Sequence, residues 1–224
     1  MGVISVIWSP VRTLREVAED RRVLSGFLVV AAGAVLSLIS SAIFIFTGLL
    51  QTQFEAFFEA TEGQIPPELQ ENFVALTGVS SIVLAVLWPF VIWVSISLIM
   101  QLVTRFFGGE GPLSAMFAVV GVAYLPYVLS TLISTPIQAL QATLDPTGAA
   151  ASILGLLGGL LSLVFLAWFV VLVVIGAALA RNIGYGESTG SCAISCAGCL
   201  GLIIGMVIIL GIVVSVFAGA AGSQ

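Results

Sequence analysis

Three cysteines, Cys192, Cys196 and Cys199, stand four and then three residues apart near the C-terminus. On a helix that spacing puts all three thiols on one face. Three thiolates so placed could hold a soft metal ion such as zinc or copper(I), or could be acylated beside a membrane. Their neighbours Ala193, Ser195, Ala197 and Gly198 are small, and cysteine itself packs as a small apolar residue. A small-residue packing face is therefore the preferred reading, and no metal or cofactor is expected. Glu55, Glu59 and Glu62 also share a helical face. They could approach a divalent cation, but a solvated acidic face is the simpler reading.

Little else in the chain can do chemistry. With no histidine, it cannot build a serine–histidine or cysteine–histidine nucleophile from its own residues. It carries no Gly-x-x-x-x-Gly-Lys phosphate loop. No catalytic residue is assigned, and an enzyme is not expected.

The elements that must position these residues belong in a bilayer. Hydrophobic residues make up 60% of the 224 and charged residues only 8%, with a mean hydropathy of +1.24. A soluble domain carries roughly 25% charged residues. The charges fall in short clusters around five uncharged stretches, 23–54, 72–104, 111–144, 146–180 and 188–224. A spanning helix needs about 20 apolar residues, so each stretch holds one span and none holds two with a turn. Segments such as 163–180 are apolar at nearly every position, which excludes the alternation of a membrane β-barrel. The expected fold is an all-α bundle of five transmembrane helices, near 24–50, 76–103, 115–140, 150–180 and 191–218. Residues 1–22 form a cytoplasmic amphipathic lead-in, and 23–220 form the membrane domain.

The arginines orient it. All six basic residues, Arg12, Arg15, Arg21, Arg22, Arg105 and Arg181, fall on one side of a five-span chain. Positive residues mark the cytoplasmic side. The N-terminus is then cytoplasmic and the C-terminus outside, in the cell membrane. The outer side carries Glu55, Glu59, Glu62, Glu68, Glu71 and Asp145. No basic surface points to nucleic acid.

Ser9 and Pro10 suit the start of a helix. In the lead-in, Ile4, Ile7, Val11, Leu14 and Ala18 follow helical spacing. The expectation is an interfacial helix with Trp8 near the headgroups. In loop 51–73, Phe54, Phe57 and Phe58, then Ile65, Leu69 and Phe73, predict two short surface helices broken at Pro66–Pro67. Small residues Gly33, Ser37, Ser40 and Ser41 in span one allow close helix approach. Gly155, Gly158 and Gly159 in span four, and Gly201 and Gly205 in span five, do the same. Pro89, Pro126 and Pro136 predict kinks. No charged residue is expected inside a span; Gln101 and Gln138 lie near span ends. Gly108, Gly109, Gly111 and Pro112 read as a tight reversal between spans two and three.

Taken together, these residues resemble the Yip family of five-span membrane proteins, named for interaction with Ypt/Rab GTPases. The resemblance covers essentially the whole chain. It rests on Trp8-Ser9-Pro10 with Thr13 and Glu16, on Phe106-Phe107-Gly108-Gly109-Glu110-Gly111, on Ala123-Tyr124-Leu125-Pro126, and on Trp168 followed by Gly176. It implies five helices, a cytosolic N-terminus and oligomers with relatives. The eukaryotic relatives carry a long cytosolic N-terminal region, whereas only 22 residues precede the first span here. The chain is similar to prokaryotic members, and binding to a Rab-type GTPase is not carried over.

The expected function is that of a non-enzymatic membrane scaffold or organiser. Its partners are the lipid bilayer and, through glycine-rich helix faces, itself or other membrane proteins. The alternative is a channel, transporter or lipid-translocating protein with a cavity at the kinked spans two and three.

Overall fold

The computed structural model describes residues 3–60, 67–141, 143–144 and 148–197. Every element among them is helical. A 3-10 turn (Val3–Ile7) leads into α1 (Pro10–Glu19), α2 (Val23–Phe46), α3 (Leu49–Ala60), α4 (Pro67–Phe106), α5 (Leu113–Ala123), α6 (Leu125–Gln141) and α7 (Ala149–Arg181). A last helix, α8, covers 185–197. Four segments are long and apolar enough to cross a membrane: Val23–Phe46, Phe73–Phe106, Leu113–Gln141 and Ala149–Arg181. The expected fifth span, 191–218, lies mostly outside the described residues.

The centre of the bundle is α5. Ala115, Met116, Ala118, Val119, Val120, Val122 and Ala123 are all buried. A helix buried on every side needs small side chains, because neighbouring backbones approach it closely. Gly121 meets Gly26 of α2, where a Cβ on Gly121 would stand 2.5 Å from the Gly26 Cα. A Cβ on Gly176 of α7 would stand 3.0 Å from that of Val119. Trp93 of α4 donates its indole N–H to the Phe117 carbonyl at 2.9 Å, so the bulky ring closes the remaining side with its polar atom satisfied.

The third span is two helices rather than one kinked rod. The ladder stops at Tyr124, whose N–H turns to Gly121 O at 3.2 Å, and α6 restarts at Leu125 with Pro126 next. Proline lacks the N–H that would continue the ladder and suits the first turn of a helix. Pro89 and Pro136 sit inside their helices.

The lead-in holds α1, and the loop after α2 departs from expectation. The buried face of α1 is Thr13, Leu14, Val17 and Ala18, packed against α5 and α7. Ile4, Trp8 and Val11 are exposed. Position selects Ser9 as the cap, but its hydroxyl donates to Ser5 O at 3.3 Å and caps nothing. Thr13 ties this corner together, donating to Ser9 O at 3.0 Å and lying 2.8 Å from Ser5 Oγ. The second surface helix does not exist separately. Pro67 opens α4, which runs unbroken to Phe106. Phe73 on its first turns packs edge-on to Phe54 and Phe58 of α3, with ring centroids 5.4 and 6.4 Å apart.

Candidate functional site

A cavity of about 610 Å³ opens between α2, α4, α6 and α7. Its walls include Ser37, Ser41, Ser81, Ser130, Ser134 and Ser162, with Tyr127, Thr131 and Gln138 beside them and Trp88–Pro89 as an apolar edge. No charged side chain is among the lining residues. Serines 37 and 41 line this space, and Ser37 Oγ lies 3.3 Å from Tyr127 Oη of α6.

The hydroxyls have a common orientation. Ser81 donates to Gly78 O, Thr131 to Tyr127 O, Ser134 to Thr131 O and Ser162 to Gly158 O, at 2.8 to 3.3 Å. Each spends its proton on its own helix, as hydroxyls in helices do. What remains for the cavity is lone pairs. These four positions therefore present acceptors, Gln138 and Trp88 add N–H donors, and an uncharged ligand with O–H groups matches the wall.

A second, apolar cavity of about 360 Å³ adjoins the first. Ile92, Phe165, Leu166 and Phe169 line it, and it shares Tyr127, Ser130 and Ser162 with the polar cavity. Tyr124 closes this seam. Its ring lies 4.7 Å from that of Tyr127 and passes over Gly33, where a Cβ would come within 3.1 Å of it. Tyr124 is 2% exposed, and its hydroxyl makes no hydrogen bond. Tyr127 Oη instead lies 3.3 Å from Ser37 Oγ. Beyond Tyr124 the packed side chains of α5 fill the bundle.

The opposite end of the bundle is held by Arg181. This last residue of α7 is 2% exposed. Its Nε donates to Thr104 Oγ1 at 3.2 Å, and its two Nη atoms donate to the carbonyls of Gly109 and Gly111. Glu110 N–H answers by donating to Arg181 O at 2.9 Å. The planar guanidinium presents several donors in a fixed fork, so one side chain can pin a whole loop. Only glycine fits that loop. Gly108 has φ +75°, Gly109 would bring a Cβ within 2.8 Å of Thr104 O, and a Cβ on Gly111 would strike the Ala180 carbonyl.

This loop and the Tyr124–Pro126 break lie inside residues 4–209, which match the family model described as the Yip1 domain. The chain belongs to the Yip1 domain family. No curated protein and no solved structure matches it. In this Yip1 domain, Pro10 opens α1, Gly108 and Gly109 form the loop held by Arg181, and Pro126 is fully buried at the α5–α6 break. Trp168 is half-buried and stacks on Phe165. These positions hold separate parts of the bundle and do not converge on one site. Cys192 is buried and Cys196 exposed. Cys199 lies outside the described residues, as do Glu62, Gly201 and Gly205. Among the described residues no cluster of three His, Cys, Asp or Glu side chains could hold a metal.

Sequence reading missed both features. Arg181 served there only as a topology marker beyond the span, whereas it is a buried charge at the helix end. The available signal for the cavity was the spacing of Ser130 and Ser134 on one helix face, matched by Ser37 and Ser41 on another.

Proposed function

We propose that this multi-pass membrane protein is non-enzymatic and binds an uncharged, hydrogen-bond-donating ligand in the hydroxyl-lined cavity. This is the transporter or lipid-translocating alternative rather than the scaffold. The observation that carries it is the acceptor wall of Ser81, Thr131, Ser134 and Ser162, with no charge among the lining residues. The volume falls within the roughly 300–1,000 Å³ of small-molecule sites. Positions 37–41, 81–89, 130–138 and 162 all lie in the half of the spans away from the arginines, so the cavity faces outward if the arginine end is cytoplasmic. The side chains of α5 are packed solid, which favours binding or stepwise transfer over an open channel.

A test uses the purified full chain in nanodiscs. Ser134→Cys, in a background with Cys192, Cys196 and Cys199 changed to serine, is labelled with a small maleimide. Glycerol, as a probe polyol, should slow labelling, and Ser130→Phe, which fills the cavity, should abolish the protection. Equal labelling rates with and without every uncharged donor tried, lipid or soluble, would remove the reading.

A second reading, the scaffold, is favoured by α7. At Gly158 and Gly159 an added Cβ would meet no atom within 4 Å among the described residues. Such a flat surface suits another helix, from this chain or a second copy. Crosslinking in native membranes tests it, and a strict monomer without captured partners counts against it.

A further inference from the structure

We infer that the polar and apolar cavities form one site for a lipid whose uncharged head carries hydroxyl groups. The inference rests on the reading of the hydroxyl-lined cavity as a ligand site and names the ligand's class. The two spaces lie against the same side chains, Tyr127, Ser130 and Ser162. Their characters differ as the two ends of an amphiphile differ. One presents lone pairs of serines and threonines; the other is walled by Ile92, Phe165, Leu166 and Phe169.

The head must be uncharged. An anionic headgroup is held best by cationic donors, and no charged residue lines either cavity. Burying a phosphate here leaves its charge without a counter-ion in a medium of low dielectric, which is strongly unfavourable. A head with O–H donors pairs with the serine and threonine oxygens. The Tyr124 ring, 4.7 Å from that of Tyr127, lines the apolar cavity at the seam.

The probe is monooleoylglycerol carrying a photoreactive diazirine in its chain, with the full-length protein in phosphatidylcholine nanodiscs. Crosslinks should map to 124–130 and 162–169. Unlabelled monooleoylglycerol should compete, and lysophosphatidic acid with the same acyl chain should not. Ser130→Ala combined with Ser162→Ala should lower capture about tenfold, equivalent to two weakened hydrogen bonds. Leu166→Trp, which fills the apolar cavity, should also abolish capture but leave the glycerol protection of Ser134→Cys intact. Capture spread evenly along the exposed faces of α4 and α7, or equal competition by the anionic lipid, overturns the inference. Glycerol protection without lipid capture also overturns it while the polar-ligand reading stands. Loss of both protection and capture removes both.

Discussion

Arg181 Nε lies 3.2 Å from Thr104 Oγ1, a contact that locks the end of α7 to the end of α4 across 77 residues of chain. Thr104 is prepared for it. Its hydroxyl donates to Met100 O at 2.6 Å, which leaves its lone pairs to accept from the guanidinium. The same side chain satisfies the Gly109 and Gly111 carbonyls, and Gln101 Nε2 adds a 3.2 Å bond to Gly111 O. A buried cation is tolerated here because backbone dipoles surround it.

Arg181→Ala strands those carbonyls in the protein interior. Removing a charged partner from a buried network costs about 3 kcal/mol or more. Equilibrium unfolding in mixed micelles should show that loss. Arg181→Lys should recover only part of it, because an ammonium lacks the planar fork. Wild-type stability in Arg181→Ala would mean that the network contributes nothing.

Gly121→Ala should be among the most damaging small substitutions. Its methyl group would press on Gly26 of α2, and overpacking of this kind costs roughly 1–3 kcal/mol. Gly158→Ala, by contrast, points into open space among the described residues and should change stability by less than about 0.5 kcal/mol. Comparing the two unfolding midpoints checks both. Similar midpoints would contradict the close α2–α5 approach.

Tyr124→Phe separates stability from binding. Removing a buried hydroxyl that has no partner should leave the empty protein equally stable or up to about 1 kcal/mol more stable. The same change should leave capture of monooleoylglycerol unchanged, because the hydroxyl is closed off from the cavity. A several-fold loss of capture would show instead that the hydroxyl reaches the ligand.

Topology can be read directly. In the cysteine-free background, Glu55→Cys should react with a membrane-impermeant maleimide on intact cells. Gly186→Cys should react only after permeabilisation. The reverse pattern would invert the arginine assignment.

The sequence by itself determined that this is a helical, multi-pass membrane protein. Long uncharged stretches leave hydrocarbon as the only matching solvent, and Phe106–Gly111 with Tyr124–Pro126 carried the family resemblance. Those are local properties, legible because span length and charge spacing need no knowledge of neighbours. Only the tertiary structure decided what each polar residue does. Arg181 and Arg105 look alike in sequence at the ends of apolar runs, yet one is buried and the other exposed. Serines 37, 81, 130 and 162 come from four different helices, and nothing local says that their hydroxyls face one space. Thr13 and Leu14 likewise turn into the bundle rather than toward a membrane surface, because α5 and α7 offer them a packed face. Helix formation follows from the chain's own periodicity, whereas a cavity exists only between helices, where side chains distant in sequence decide what is left unfilled.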